Sequence, residues 1–471
     1  GTAGWSIYDD ETLDGLEKQI DISNQTLKAS EAAYREASAL VREARAGYFP
    51  TVTIGASGQR SGQSSRNING FSGGGPLVQN AFDLAPTVSW EPDLWGRIRR
   101  TVESNVANAQ ASAADLAAAR LSAQAQLAID YFELRITDEL KGVLDRTITA
   151  YQRTLRIIRN QYNAGFVAQT DVITAETQLE GTQSQEIALG VQRAQLEHAI
   201  AVLIGKPPAE FSLAPKPLAA AVPVLPPGLP STLLERRPDI AAAERSAAAA
   251  NAQIGVAESA YFPTITLSAS YGFASSELST LLHAANTVWS FGGTLSETAF
   301  DGGLRGAQVA AARATYDQSV ANYRQTVLAG FQQVEDELAA LRILAAQAKV
   351  EDAAVKSAEE AVRLTLNQYE AGTVAYTNVV VAQATALADE EAVLNILQSR
   401  LTASITLVEA IGGGWAAGQL PDAAQAESGT LPQPAPVPAP AKGQAAPAVP
   451  AADTGSSGGF FQSVRKWFGG N

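Results

Sequence analysis

The feature that most limits the fold is a helical pattern without breakers, written twice and stopped each time by one glycine. The first copy runs from about Gly96 to Tyr162 and ends in Gln161-Tyr162-Asn163-Ala164-Gly165-Phe166-Val167. The second follows Asp301-Gly302-Gly303 and ends in Gln368-Tyr369-Glu370-Ala371-Gly372-Thr373-Val374. Roughly 65 residues at about 1.5 Å each span about 100 Å, wider than an ordinary globular domain. A glycine at each end can take φ > 0 and reverse the chain. Two helical hairpins with matching tips are therefore predicted, with long helices over 96–162 and 303–369 and return helices over 171–204 and 375–411.

Between the helical stretches the apolar period changes to two. After Tyr48-Phe49-Pro50, the residues Val52, Ile54 and Ala56 alternate with Thr51, Thr53, Gly55 and Ser57. Beyond a loop rich in Gly, Ser and Asn, the residues Phe82, Leu84, Pro86, Val88 and Trp90 alternate with Ala81, Asp83, Thr87 and Ser89. This predicts a β-hairpin over 50–91 with one apolar and one small polar face, and with a bend or a barrel rim at Pro86. Tyr261-Phe262-Pro263 opens an equivalent hairpin over 263–299, in which Ile265, Leu267, Ala269, Tyr271 and Phe273 share a face and Trp289, Phe291 and Leu295 follow on the partner strand. Trp90 and Trp289, on the apolar faces, are expected at a membrane interface.

The programme thus occurs twice. A first repeat, 1–205, opens with a helix from Asp10 to about Gly47; a Pro-rich linker, 206–230, precedes a second repeat, 231–414, that opens with a helix from Leu233 to Ala260. Residues 415–471 are Ala- and Pro-rich and are expected to be a disordered tail. Its end carries Phe460, Phe461, Val464, Trp467 and Phe468 beside Arg465 and Lys466, the pattern of a short interfacial or groove-docking helix.

Composition narrows the function. No run of apolar residues is long enough to cross a bilayer as a helix, so a membrane crossing would have to be a closed barrel. Four strands are too few for one, since about eight is the minimum; three copies would supply twelve. The net charge of −14 argues against nucleic acid. With no Cys there can be no disulfide, thiolate metal site or cysteine nucleophile. The chain shows no Walker loop or metal spacing, so neither catalysis nor a cofactor is expected. The missing initial Met predicts a processed or trimmed N-terminus. His198 and His283 are expected to be structural or solvated, and Glu335, Asp336 and Glu337 to form a solvated or lumen-facing cluster.

The duplicated Tyr-Phe-Pro-Thr strand entries at Tyr48 and Tyr261, the turns Trp95-Gly96-Arg97 and Asp301-Gly302-Gly303, the helix start Arg236-Arg237-Pro238-Asp239-Ile240 and the two tips, taken in order, resemble the TolC-like outer membrane factor family. The similarity runs from about Trp5 to Gly414 and is nearest the lipoprotein efflux subset. It implies an α+β membrane protein: a homotrimer with a twelve-stranded barrel in outer membrane lipid and a long α-helical barrel in the periplasm. It also implies that the tips meet a periplasmic adaptor, which joins the duct to an inner-membrane efflux pump. Adaptor contacts would then fall on Ala164, Gly165 and Phe166 and on Ala371, Gly372 and Thr373. The periplasmic constriction would involve Asp171, Val374, Asn378 and Val381. Asn378 and Val381 stand where family members often carry aspartates, and Val374 where an arginine sometimes stands. Lipoprotein members begin with an acylated Cys, absent here, which implies a trimmed chain or an anchor elsewhere. The rival reading is an elongated envelope scaffold without a conduit. The apolar strand faces argue against it, because a soluble spacer has no use for them.

Overall fold

The computed structural model describes residues 5–63, 77–218, 222–223 and 235–432. Its helices are α1 (Glu11–Ser23), α2 (Gln25–Ala46), α3 (Arg97–Asn163), α4 (Gln169–Leu203), α5 (Pro238–Ser259), α6 (Leu304–Glu370), α7 (Tyr376–Ala410) and α8 (Ala423–Ser428). The strands are β1 (Thr51–Gln63), β2 (Leu77–Trp90), β3 (Thr264–Ser275) and β4 (Thr287–Ser296). The two long helices have 67 residues each and the two return helices 35 each, so the duplication legible in the sequence is also metrical.

The four strands form one antiparallel sheet in the order β1-β2-β3-β4. Its register converts the alternation of each strand into two continuous faces. One face carries the pairs Val52↔Val88, Ile54↔Pro86, Ala56↔Leu84, Leu84↔Phe273, Trp90↔Leu267, Ala269↔Phe291 and Tyr271↔Trp289. The other carries Thr53↔Thr87, Ser89↔Ser268, Thr266↔Thr294 and Ser270↔Ser290. The apolar face lies open: Ile54 and Phe291 are each 77% exposed. Pro86, without an N–H, falls in a gap of the β2–β3 ladder between Leu84↔Phe273 and Thr87↔Ser270. β1 and β4 each leave an edge with no strand beside it among the described residues.

Both long helices start on an aspartate from the preceding strand-to-helix turn. Asp93 accepts the N–H groups of Ile98 and Arg99 at 2.9 and 2.8 Å. Asp301 accepts those of Gly303 and Arg305 at 2.9 and 3.2 Å. Each satisfies donors that a helix N-terminus leaves without a partner. The return helices end on matching supports. Asn24 Nδ2 donates to Leu203 O at 2.7 Å, while Arg237 Nη1 donates to Ala410 O at 2.9 Å and to Gln333 Oε1 at 3.0 Å.

Asn24 also corrects the expected single helix from Asp10 to Gly47. Extended at φ −63, ψ 121, it ends α1, and its side chain caps α2 by accepting the N–H of Leu27 at 2.9 Å. Two further departures have physical causes. The first part of the Pro-rich linker is a strap, not a free connection: Phe211, Leu213, Leu218 and Val222 pack on the core formed by Leu13, Ile20, Leu127, Phe132 and Ile200. A buried ion network pins it. Arg135 and Arg193 share Asp138 and reach Ala214 O and Leu213 O at 2.8 and 2.6 Å. Residues 415–432, expected to begin a disordered tail, are folded. Trp415 and Leu420 pack beside Ala114, Ala241 and Ala242, and Ala426 is buried against Val41 and Ala109. Asp422 and Gln425 close a capping box on α8, and Arg42 donates to Glu427 O. The α5 helix begins at Pro238. The amphipathic end at 460–471 lies outside the described residues.

Glu17 shares the buried face of α1 with Leu13, Leu16 and Ile20, and neither of its carboxyl oxygens has a hydrogen-bond partner. Burial, reinforced by Asp21 and Asp14, pushes this carboxyl up to about 9 from 4.5. The folded chain therefore holds a proton that the unfolded chain releases. Stability from this site is complete below about pH 4.5 and is lost as pH rises toward 9. Glu17→Gln is expected to remove that dependence. Its thermal midpoint should match the parent near pH 4 and exceed it near pH 8. Melting curves followed by circular dichroism across this range check the sign.

Candidate functional site at the hairpin tips

Each tip is the same hydrogen-bonded turn. Phe166 N–H donates to Gln161 O and Gly165 N–H to Tyr162 O, both at 2.9 Å; Thr373 donates to Gln368 O and Gly372 to Tyr369 O, also at 2.9 Å. This crossed pair satisfies the carbonyls that a helix C-terminus leaves open, and it places the glycine in the left-handed region. Gly165 has φ +82 and Gly372 φ +71, with open space where a Cβ would stand. The expected contact residues Ala164, Gly165, Phe166, Ala371, Gly372 and Thr373 are all exposed. The tips differ in one respect. Phe166 is 83% exposed, whereas the Thr373 hydroxyl turns back to donate to Gln368 O at 2.9 Å.

Just behind the turns the two hairpins are joined. Tyr151, Leu155 and Ile158 of α3, Val172, Ala175 and Leu179 of α4, and Tyr376 and Val379 of α7 form one buried cluster. Tyr376 OH donates to Gln178 Oε1 at 3.3 Å, and Gln178 Nε2 donates to Gln383 Oε1 at 3.1 Å. The Tyr369 ring lies 5.3 Å from that of Tyr376. Burial raises the hydroxyl pKa values of both tyrosines, and the negative charge of Asp171 adds to the effect. Asp171 in the first turn of α4 is thus close to the second hairpin. It is half-buried, as is Val374, while Asn378 and Val381 are exposed on α7. The sequence reading missed Tyr376, Gln178 and Gln383. Tyr376, Val379, Gln383 and Ala386 fall on one face of α7, a helical spacing that could have singled them out.

At the other end of the long helices, the sheet register sets Trp90 beside Leu267, with its Nε1 donating to Tyr48 O at 2.9 Å. Trp289 lies opposite Tyr271, two outward-facing positions farther from the helices, and is 75% exposed. No described helix is long and apolar enough to cross a membrane, and no described group of residues could hold a metal ion.

A family model described as outer membrane efflux protein matches residues 16–206 and again 229–413, one match for each structural repeat. The chain belongs to the outer membrane efflux protein family. It is 31% identical over 402 residues to the toluene efflux pump outer membrane protein TtgI of Pseudomonas putida, covering 84% of each chain. To the cation efflux system protein CusC of Escherichia coli it is 28% identical over 417 residues, covering 88% of each. The outer-membrane channel OprN superposes with a TM-score of 0.83 at 29% identity, over 88% of this chain and 93% of that one. The open state of the MtrE outer membrane channel of Neisseria gonorrhoeae gives 0.75 at 29% identity, over 85% and 90%. As an outer membrane efflux protein the chain belongs in the outer membrane, with a long periplasmic extension.

The tip glycines have space for a methyl group but not a conformation suited to one. Gly165→Ala and Gly372→Ala are each expected to cost about 1–2 kcal/mol locally. Hydrogen exchange should quicken at the amides of residues 164–166 or 371–373, while the melting of the sheet end stays unchanged.

Proposed function

We propose that three copies assemble into the outer-membrane duct of a tripartite efflux system, in which the hairpin tips receive a periplasmic adaptor that connects the duct to an inner-membrane pump. The observation that carries this reading is the lateral incompleteness of one copy. The sheet has two open edges and one apolar face. The helices repeat the condition. α3 packs against α2, α4, α5 and α7, but α6 contacts only α5 and α7 extensively. Only Val309, Val327, Gly330, Val334 and Ala358 of α6 are buried, and Leu328, Ile343, Val350 and Leu364 are exposed. On the opposite flank, α4 exposes Ile173, Ile187, Val191 and Val202. A further copy beside each flank would cover these side chains and continue the sheet from β4 to the next β1. Both junctions run antiparallel, as an even-stranded barrel requires. A scaffold without a conduit would leave the sheet face unexplained.

In this assembly Trp90 and Trp289 face lipid. Asp171, Val374, Asn378 and Val381 surround the periplasmic entrance, and Ala164, Gly165, Phe166, Ala371, Gly372 and Thr373 form the adaptor contacts. The relatives named for toluene and for cations differ in cargo, so no substrate is assigned.

Native mass measurement in detergent should give three copies; a stable monomer with a folded sheet would contradict the assembly. Phe166→Ser should weaken adaptor binding and lower export while trimer yield stays normal, and unchanged binding would remove the docking role. At the entrance, the amide of Asn378 and the isopropyl group of Val381 are poor ligands for hard cations. Periplasmic-side divalent cations should therefore block single channels only weakly. Strong block that disappears in Asp171→Asn would move the constriction to the first repeat.

A further inference from the structure

The last turns of α3 carry a basic stripe that the duplicated helix lacks. Arg153, Arg156 and Arg159 follow one another at three-residue spacing, all exposed, with Ile157 exposed among them. Arg159 reaches Glu176 of α4 at 2.6 Å. Arg153 and Arg156 have no hydrogen bond or ion pair among the described residues. Like charges one turn apart on a helix repel. The helix dipole favours cations only within the final turn, and Arg153 lies more than two turns before Asn163. Among the described residues nothing offsets the charges of Arg153 and Arg156.

The second repeat supplies an internal comparison. Superposing the tips puts Glu360 at the place of Arg153, Arg363 at that of Arg156 and Leu366 at that of Arg159. There the charges neutralise each other: Arg363 Nε and Nη2 donate to Glu360 at 2.8 and 2.5 Å. Leu366 packs on the buried tip cluster. One hairpin thus shows two unpaired guanidinium groups around an apolar side chain just above its tip, and its counterpart shows a closed ion pair.

We propose that Arg153, Ile157 and Arg156 form a second docking surface, above the tip contacts, for an acidic helical face of the same periplasmic adaptor. The proposal rests on the tip-docking reading. Arginine suits such a surface, because its planar fork binds carboxylates in two-point fashion and its weak hydration lowers the cost of contact. Since only one hairpin of each copy carries the stripe, it lets an adaptor distinguish the two hairpins and fixes its register around the ring.

The test uses the trimer in detergent and the purified periplasmic adaptor of its own pump, with binding measured at low and high salt. Arg153→Glu combined with Arg156→Glu should weaken binding on the order of tenfold at low salt and flatten its salt dependence. Arg153→Gln with Arg156→Gln should do so less. Phe166→Ser should weaken binding but keep the salt dependence. Both arginines are exposed, so trimer mass and melting should not change. If the arginine variants bind like the parent while Phe166→Ser is weakened, this inference is wrong and tip docking stands. If Phe166→Ser also binds like the parent, tip docking fails and the inference with it. If charge reversal leaves affinity intact but alters the ion selectivity of single channels, the stripe lines the lumen and the inference is again overturned.

Discussion

The structure depends on one constraint: a four-stranded sheet with an apolar face that nothing among the described residues covers. In water, Val52, Ile54, Trp289, Phe291 and Leu295 would leave a large contiguous patch exposed, and the β1 and β4 edges would invite indiscriminate pairing. A bilayer removes the first problem, and in the proposed assembly other copies of the sheet remove the second. Every larger feature follows from meeting both demands together. The Asp93 and Asp301 turns fix each strand end directly to a long helix, so the order of strands dictates the order of helices. In the proposed assembly, closing the sheet also closes the helical wall.

The duplication makes this closure cheap to encode, yet the two repeats are not used alike. α3 is enclosed on most sides and carries the large buried set from Ile98 to Ile158, while α6 remains a flank along its length. The same asymmetry recurs at the tips, where Phe166 projects and Thr373 folds back on its own backbone. Between the two hairpins lies a join of buried tyrosine and glutamine, with Tyr376 bound to Gln178 and Gln178 to Gln383.

The sequence made the long-range plan legible because that plan is written in periods. Alternation gave the strands and their faces, and the register then joined those faces across all four strands. The breaker-free runs gave the hairpins, and the glycines gave their tips. What stayed hidden depends on tertiary partners. Asn24 breaks a helix because its amide has Leu203 O to bind, and no local pattern announces that carbonyl. The strap over 211–218 looks like a linker until Arg135 and Arg193 are seen to hold it. Residues 415–432 have a composition poor in large apolar side chains. They fold because Ala426 packs against Val41 and Ala109, and Trp415 and Leu420 against Ala114, Ala241 and Ala242. At the tips, the exposed residues were legible from the repeat, but the Tyr376 join behind them depends on contacts between hairpins far apart in sequence.

The claim at the centre is that β4 of one copy pairs with β1 of the next. The chain contains no Cys, so disulfide crosslinking can be read without background. Cysteine pairs scanned along the polar face, one partner near Thr53 on β1 and the other near Thr294 on β4, report the junction in intact outer membranes. Edge-to-edge closure predicts a register-specific pair that gives covalent dimers and trimers on oxidation, with neighbouring registers silent. Crosslinking confined within single chains, or absent at every register, would contradict it.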